Sequence, residues 1–162
     1  MTLNARAEAA RRRLLRPWNF RLYLWARLPL AACAGLSLRR LDESGCTVAL
    51  PGGWRTRNPF RSMYFAAQAM AAEMSTGAPA MMLAEGASAS VSMLVREVRG
   101  VFTRRILGDA EFVFDDLAGM RDAVERAVAS GESESYVARS LGHAADGVTA
   151  SEFEVTWSFK RR

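Results

Sequence analysis

The central stretch of the chain, residues 62–84, reads SMYFAAQAMAAEMSTGAPAMMLA and contains a single charged residue, Glu73. Within it, residues 63–76 are rich in alanine and methionine, which have high helix propensity. The alanines make this helix thin, and a thin apolar helix suits close packing on all sides. We therefore predict a buried central helix with a sheet wrapped around it, ended by Gly77 and Pro79.

Short strands are predicted on both sides of this helix. The clearest is the last one, in which apolar Phe153, Val155, Trp157 and Phe159 alternate with polar residues, as on a strand buried on one face. Gly100 is a candidate bulge within a long strand, and Asp146-Gly147 is a hairpin turn signal. The predicted strands cover residues 36–41, 46–50, 91–102, 109–115, 135–141 and 152–159.

Further helices are predicted at the amino terminus and between two of the strands. Residues 3–16 form an arginine-rich helix, and Pro17 ends it or starts a second helix that runs to about residue 34 and closes at Gly35. Asp116 caps a helix that ends at Ser130-Gly131. This order of helices and antiparallel strands defines an α+β fold.

Length and composition limit the protein to one domain without a disulfide framework. A chain of 162 residues is a single domain, which we divide into a helical segment, residues 1–34, and a main body, residues 35–162. Two cysteines are too few for a cysteine zinc site, and one histidine excludes any site that needs two.

The positive charge lies mainly in the first part of the chain. Residues 1–61 carry twelve arginines against three acidic residues, a net charge of +9, whereas residues 62–162 have a net charge of −4. A basic half is typical of proteins that bind nucleic acid, a membrane surface or an anionic ligand. We expect no nucleic-acid partner, because no zinc-finger, homeodomain or RNA-recognition pattern is present. Basic amino-terminal helices that contact a membrane or nucleic acid remain a third interpretation.

One segment is similar to a bacterial lipoprotein signal. Leu30-Ala31-Ala32-Cys33 matches the end of such a signal, but an export signal needs an uninterrupted apolar run, which Asn19, Arg21, Arg27 and Pro29 break. The same interruptions argue against a transmembrane helix. We therefore expect a cytoplasmic protein with no integral membrane segment.

Three short motifs carry a resemblance to a known family. They are RNPFRSMYFA at residues 57–66, Ala71-Ala72-Glu73, and VTWSFK at residues 155–160. These motifs and the order of elements resemble the hotdog-fold thioesterase superfamily. The resemblance is strongest to its phenylacetyl-CoA thioesterase-like branch and the bacterial relatives of unassigned function. It extends from about Asn19 to the carboxyl terminus and implies a hotdog fold, an antiparallel sheet wrapped around a long central helix.

The resemblance also implies catalytic roles for three residues. Asn58 and Glu73 are fifteen residues apart, as are the loop asparagine and helix carboxylate of the family. It implies that Glu73 acts as general base or nucleophile and that Asn58 holds the substrate carbonyl or the attacking water. The backbone N–H of Phe65 then donates to the oxyanion. Sites of this family form between two subunits, which implies a homodimer or a dimer of dimers.

Five further residues are candidates for substrate binding. Arg57 and Arg61 are placed to attract the phosphates of coenzyme A, although they are equally explained as solvated loop charges. Ser62 is a substrate contact or a helix cap, and Asn58 followed by Pro59 has the same capping alternative. Tyr64 takes the place of the family's histidine, and Ser90 corresponds to a hydroxyl near the attacking water in some relatives.

The implied function is hydrolysis of an acyl thioester carried by coenzyme A or an acyl carrier protein. This reaction needs neither a metal nor an organic cofactor, and coenzyme A enters only as part of the substrate. The chain departs from the family where Arg61-Ser62 or nearby residues replace Gly-Thr, and where Phe65 or Ala66 and Ala67 replace Gly-Gly. A bulky residue at these positions hinders the close approach of a ligand to the backbone. The alternative is therefore a non-catalytic hotdog protein that binds acyl groups or serves as a dimeric scaffold.

Overall fold

A computed structural model describes residues 3–162, in which three helices precede a six-stranded sheet with two further helices. The elements in chain order are α1 (Ala5–Leu15), α2 (Pro17–Arg27), α3 (Pro29–Ala34), β1 (Ser37–Leu41), β2 (Cys46–Leu50), α4 (Phe65–Gly86), β3 (Val91–Phe102), β4 (Ala110–Phe114), α5 (Leu117–Ser130), β5 (Glu134–Ala144) and β6 (Thr149–Arg161). None of the helices in the described part of the chain has the length and hydrophobicity needed to span a bilayer. The α+β class and the sheet around a central helix are as predicted.

The sheet is antiparallel throughout, in the order β1-β2-β4-β5-β6-β3, so β3 forms one edge. Phe153, Val155, Trp157 and Phe159 of β6 are buried, as their alternation predicts. The predicted bulge at Gly100 is wrong, because the register shift lies between Val95 and Glu97. Gly100 instead lies opposite Phe153, where an added Cβ would come within 2.8 Å of the ring.

The central helix α4 is longer than predicted. It continues past Gly77 and Pro79 and ends at Gly86, so the prediction that these two residues end it is wrong. A proline inside a helix costs about 3 kcal/mol, but burial of most of α4 against the sheet outweighs that penalty. Gly77 serves packing, because an added Cβ would lie 3.3 Å from the Trp157 ring.

The amino-terminal helices pack on the same core. The single helix predicted between Pro17 and residue 34 is in fact two, because the backbone at Leu28 leaves the helical region and Pro29 starts α3. Asn4 caps α1, and its Nδ2 donates to the Gly86 carbonyl at 2.7 Å, which ties α1 to the end of α4. Residues 1 and 2 of the predicted helical segment lie outside the described residues.

Two buried hydrogen bonds join α4 to the sheet. The Trp157 indole N–H donates to Thr76 Oγ1 at 3.0 Å, and the hydroxyls of Ser75 and Ser140 are 2.8 Å apart. Buried polar groups are costly unless they are paired, so these bonds fix the position of α4 on the sheet.

We predict that Thr76→Val lowers the free energy of unfolding by about 1–3 kcal/mol, because the shape is kept while the buried indole N–H loses its acceptor. Urea denaturation measures the change. Thr156→Val is the matched control, since Thr156 lies on the outer face of β6 and should change stability by no more than about 0.5 kcal/mol. Equal effects of the two substitutions would contradict a specific role for the Trp157–Thr76 bond.

Candidate functional site

Asn58 organises the loop that leads into α4. Its Oδ1 accepts from the N–H groups of Phe60 at 3.0 Å and Ser62 at 3.1 Å, and its Nδ2 donates to Ser62 Oγ at 3.1 Å. The Asn58 N–H also donates to the Ser62 carbonyl at 2.8 Å. An amide Nδ2 has two hydrogens, so one remains available to a ligand after the bond to Ser62.

Arg61 holds an unusual conformation in this loop. Its φ is +62°, in the left-handed region that favours glycine, and among the described residues it is the one non-glycine with positive φ. The resemblance places a glycine at or near this position. The side chains of Arg57 and Arg61 are exposed, and neither forms an ion pair with another described residue. Tyr64 is partly exposed, and its ring contacts that of Phe65.

The amino end of α4 has no side-chain cap. Tyr64 is the N-cap residue, so neither Asn58 nor Ser62 caps the helix as the capping alternative proposed. The backbone hydrogen bonds of the helix begin at Gln68, whose N–H donates to the Tyr64 carbonyl at 3.2 Å. The helix N–H groups before it have no backbone acceptor within residues 3–162. The Phe65 N–H is therefore a free donor at the positive end of a 22-residue helix, an arrangement that attracts negative charge.

Glu73 lies two turns further along α4 in an apolar setting. Its side chain is half-buried, and within the described part of the chain its carboxylate has no hydrogen bond or ion pair. Burial raises the pKa of Glu73 above its ordinary value of 4.5. A carboxylate with raised proton affinity is suited to act as a base near neutral pH.

Tyr23 and Gly77 lie near Glu73, and sequence reasoning missed both. The pKa of Tyr23 is raised by burial and then by the negative charge of Glu73, which places the phenol near the carboxylate. An added Cβ on Gly77 would come within 3.0 Å of Glu73 Oε1. Tyr23 belongs to α2, fifty residues earlier, so no local spacing connects it to Glu73. Gly77 is visible in the sequence as a glycine within an apolar helix, but that pattern predicts a helix end and not a residue beside Glu73.

A cavity of about 350 Å³ lies between α1, α2 and α4, with Tyr23 in its wall. Tyr23 and Leu22 line it on the α2 side, and Met81 and Glu85 line it on the α4 side. The Tyr23 hydroxyl is 3.8 Å from the Met81 sulfur. Methionine and leucine give this space a flexible apolar wall that an alkyl group can fill.

The structure brings six of the eight candidate residues together. Asn58, Arg57, Arg61, Ser62 and Tyr64 belong to the loop before α4, and Phe65 begins the helix. Glu73 is eight residues from Phe65, about 12 Å along the helix axis at 1.5 Å per residue. Ser90 follows the other end of α4, where its carbonyl accepts from the Arg162 N–H at 2.9 Å. Within one chain, neither Glu73 nor Ser90 reaches the loop.

Solved structures of several thioesterases share this fold. A Pseudomonas aeruginosa protein described as a probable thioesterase aligns with a TM-score of 0.73 and 21% identity, over 90% of this chain and 97% of that chain. A Haemophilus influenzae thioesterase aligns with a TM-score of 0.63 and 12% identity, over 86% and 88% of the two chains. A Chlorobaculum tepidum protein of unknown function aligns at 0.76 and 11% identity, over 91% and 98%.

These alignments confirm the fold that the motifs implied. The chain has the hotdog fold of these thioesterase structures, with an antiparallel sheet around a central helix. By sequence alone, it matches no protein-family model and no curated protein. The likeness at these identities is a likeness of fold, so the chemistry of the site has to be argued from its own residues.

We predict that Glu73→Gln raises the thermal midpoint at neutral pH. Folding raises the pKa of the Glu73 carboxyl group. The contribution of this group to the free energy of unfolding is therefore fully present below pH 4.5 and is lost as the pH rises through the folded-state pKa. The amide does not ionise, so the advantage of the variant should appear near neutral pH and vanish in acid.

Thermal unfolding of both proteins across the acidic to neutral range measures this difference. Glu132→Gln makes the same chemical change at an exposed position and should leave the midpoint unchanged at each pH. An effect of Glu73→Gln that does not depend on pH would contradict a desolvated carboxylate.

Proposed function

We propose that this protein hydrolyses acyl thioesters, with acyl-CoA as the substrate class. One observation carries the proposal: a desolvated, unpartnered carboxylate, Glu73, lies on the same helix as an uncapped amino end, in a fold shared with thioesterases. A base for water and a donor for an oxyanion are the two groups that this hydrolysis requires.

The reaction follows from the roles of these groups. Glu73 takes a proton from water as the water oxygen bonds to the thioester carbonyl carbon, and the carbonyl electron pair moves to oxygen. The Phe65 N–H and the free Nδ2 hydrogen of Asn58 stabilise the resulting oxyanion. Its collapse breaks the C–S bond, and the proton passes from Glu73 to the departing sulfur. The products are a carboxylic acid and a thiol.

A complete site requires two subunits. The roughly 12 Å between Phe65 and Glu73 along one helix is too long for a carbonyl and a single water to span. A two-fold dimer presents each surface twice, so the loop of one chain can meet Glu73 of its partner in two equivalent sites. The edge strand β3 supports such pairing, because its outer side has no partner strand within the described residues and exposes Leu94, Val98 and Val101.

The loop and the cavity support the choice of acyl-CoA. The exposed, unpaired Arg57 and Arg61 flank Asn58 and provide two positive charges for the phosphates of coenzyme A. The cavity beside Tyr23 and Met81 provides an apolar space for the acyl group. An acyl carrier protein presents the same thioester as coenzyme A but lacks its nucleotide phosphates. Faster hydrolysis of free acyl-CoA than of acyl carrier protein thioesters would therefore distinguish the two carriers.

One observation favours the non-catalytic alternative. The Phe65 ring is partly exposed at the start of α4, packed against Tyr64, where the resemblance has glycine. A ring at this position narrows the approach of a thioester to the helix N–H groups. Acyl-CoA binding without turnover would support that alternative.

We predict that two inactive variants regain activity when mixed. Glu73→Gln removes the base, and Asn58→Asp keeps the loop's acceptor oxygen but loses the donor and places a negative charge beside the oxyanion. Each variant should lose about 10²-fold or more of the acyl-CoA hydrolysis rate. Because a mixed dimer has one intact site, refolding the two together in equal amounts should restore about a quarter of the parent's activity.

The control for this experiment is a mixture of Glu73→Gln with Glu132→Gln at the same ratio. Since Glu132 is exposed on another element, that mixture should retain about half of the parent's activity, because half of the Glu73 positions are intact. Absence of recovery in the first mixture would contradict a site shared between subunits. Absence of hydrolysis by the parent on short, long and aromatic acyl-CoAs would refute the proposed reaction.

A further inference from the structure

The outer face of α2 exposes an apolar stripe that the core does not use. Trp18, Leu22 and Trp25 are spaced at i, i+4 and i+7, so they share one side of the helix, and they are 82%, 71% and 52% exposed. Phe20 and Leu24, on the opposite side, anchor α2 in the core. We name the three exposed residues the tryptophan face.

The apolar surface continues into α3. Leu30 is 75% exposed and directly follows Pro29, the first residue of that helix. Scattered apolar residues are normal on a protein surface, but two tryptophans and two leucines exposed within residues 18–30 are a local concentration. Tryptophan is enriched where a protein meets the boundary between lipid and water.

The charge around the tryptophan face is positive. Residues 9–41 contain eight arginines and no acidic residue. On α1, Arg11 and Arg12 pair with Glu8 and Arg13 pairs with Glu85, whereas Arg16, Arg21 and Arg27 form no ion pair within residues 3–162. Arg21 flanks the stripe, Arg16 directly precedes α2, and Arg27 ends α2 on the side of the helix opposite the stripe. An apolar stripe on a helix whose other sides carry unpaired cations complements an anionic lipid surface.

We propose that α2 and α3 dock this protein on an anionic membrane surface, with the tryptophan face in the lipid and the three arginines at the headgroups. A second copy fits this surface poorly, because a two-fold contact would place arginines of both chains in one interface for which residues 9–41 supply no acidic partner. At 11 residues, α2 is about 16 Å long, so it lies in the interface and does not cross the bilayer.

Docking has a consequence for the cavity that Tyr23 and Met81 line. Leu22 belongs to the tryptophan face and also lines the cavity that contains Tyr23 and Met81. Membrane docking thus brings that cavity to the surface where acyl chains are concentrated. This consequence rests on the proposed function, whereas the docking itself does not.

Co-sedimentation of the full chain with vesicles tests the proposal. We expect binding to vesicles of phosphatidylglycerol and phosphatidylcholine, weak binding to phosphatidylcholine alone, and loss of binding as salt rises. The double variant Trp18→Ala/Trp25→Ala should lower the partition coefficient by about tenfold or more. Its control is Trp54→Ala, which removes an equally exposed tryptophan, also 82%, outside α2 and should bind like the parent.

A second pair of variants tests the charges. Arg21→Gln/Arg27→Gln should weaken binding to anionic vesicles by about thirtyfold, because each arginine near an anionic surface contributes about fivefold. Lys160→Gln/Arg162→Gln removes the same net charge from exposed positions at the end of β6 and should have little effect. All substituted side chains are exposed, so circular dichroism should show that each variant keeps its fold.

Several outcomes would overturn the proposal. They are no binding of the parent to anionic vesicles, equal binding to neutral vesicles, and unchanged binding after loss of both tryptophans. A change in molar mass of Trp18→Ala/Trp25→Ala by light scattering, without vesicle binding by the parent, would assign the face to contact between copies. None of these measurements uses thioester hydrolysis, so failure of docking and failure of the proposed function are distinguishable.

Discussion

Burial of α4 against the sheet is the interaction on which the rest of the molecule depends. Five alanines of the helix are buried, and Gly77 lets it contact the Trp157 ring. The Ser75–Ser140 hydroxyl pair and the Trp157–Thr76 hydrogen bond join polar side chains across this contact. The same burial desolvates Glu73, so the constraint that defines the fold also raises the proton affinity of the candidate base.

The loop before α4 completes the other half of the site. Asn58 holds the loop together with bonds to Phe60 and Ser62, and this leaves the first N–H groups of the helix without a cap. An uncapped helix end normally destabilises the helix, and such locally unfavourable features are commonly found at functional sites. The distance from this end to Glu73 explains why we assign the two halves of a site to different subunits.

Strong local signals predicted much of the fold. Alternation in β6, the Asp116 cap and the helix end at Gly35 depend only on neighbouring residues, and each was predicted correctly. Pro79 misled the prediction because tertiary packing, which sequence windows do not contain, outweighs helix propensity. The loop residues and Glu73 of the candidate site were predictable from the motifs that carry the resemblance, but Tyr23 comes near Glu73 only through the packing of α2.

The central claim is that Phe65 of one subunit and Glu73 of its partner act on one thioester. A crystal structure with an acyl-CoA analogue, in which a ketone replaces the thioester, tests it most directly. We predict that the ketone oxygen accepts a hydrogen bond from the Phe65 N–H of one chain and that its carbonyl carbon lies one water from the other chain's Glu73. An analogue bound away from both groups, or contacting both within a single chain, would contradict the claim.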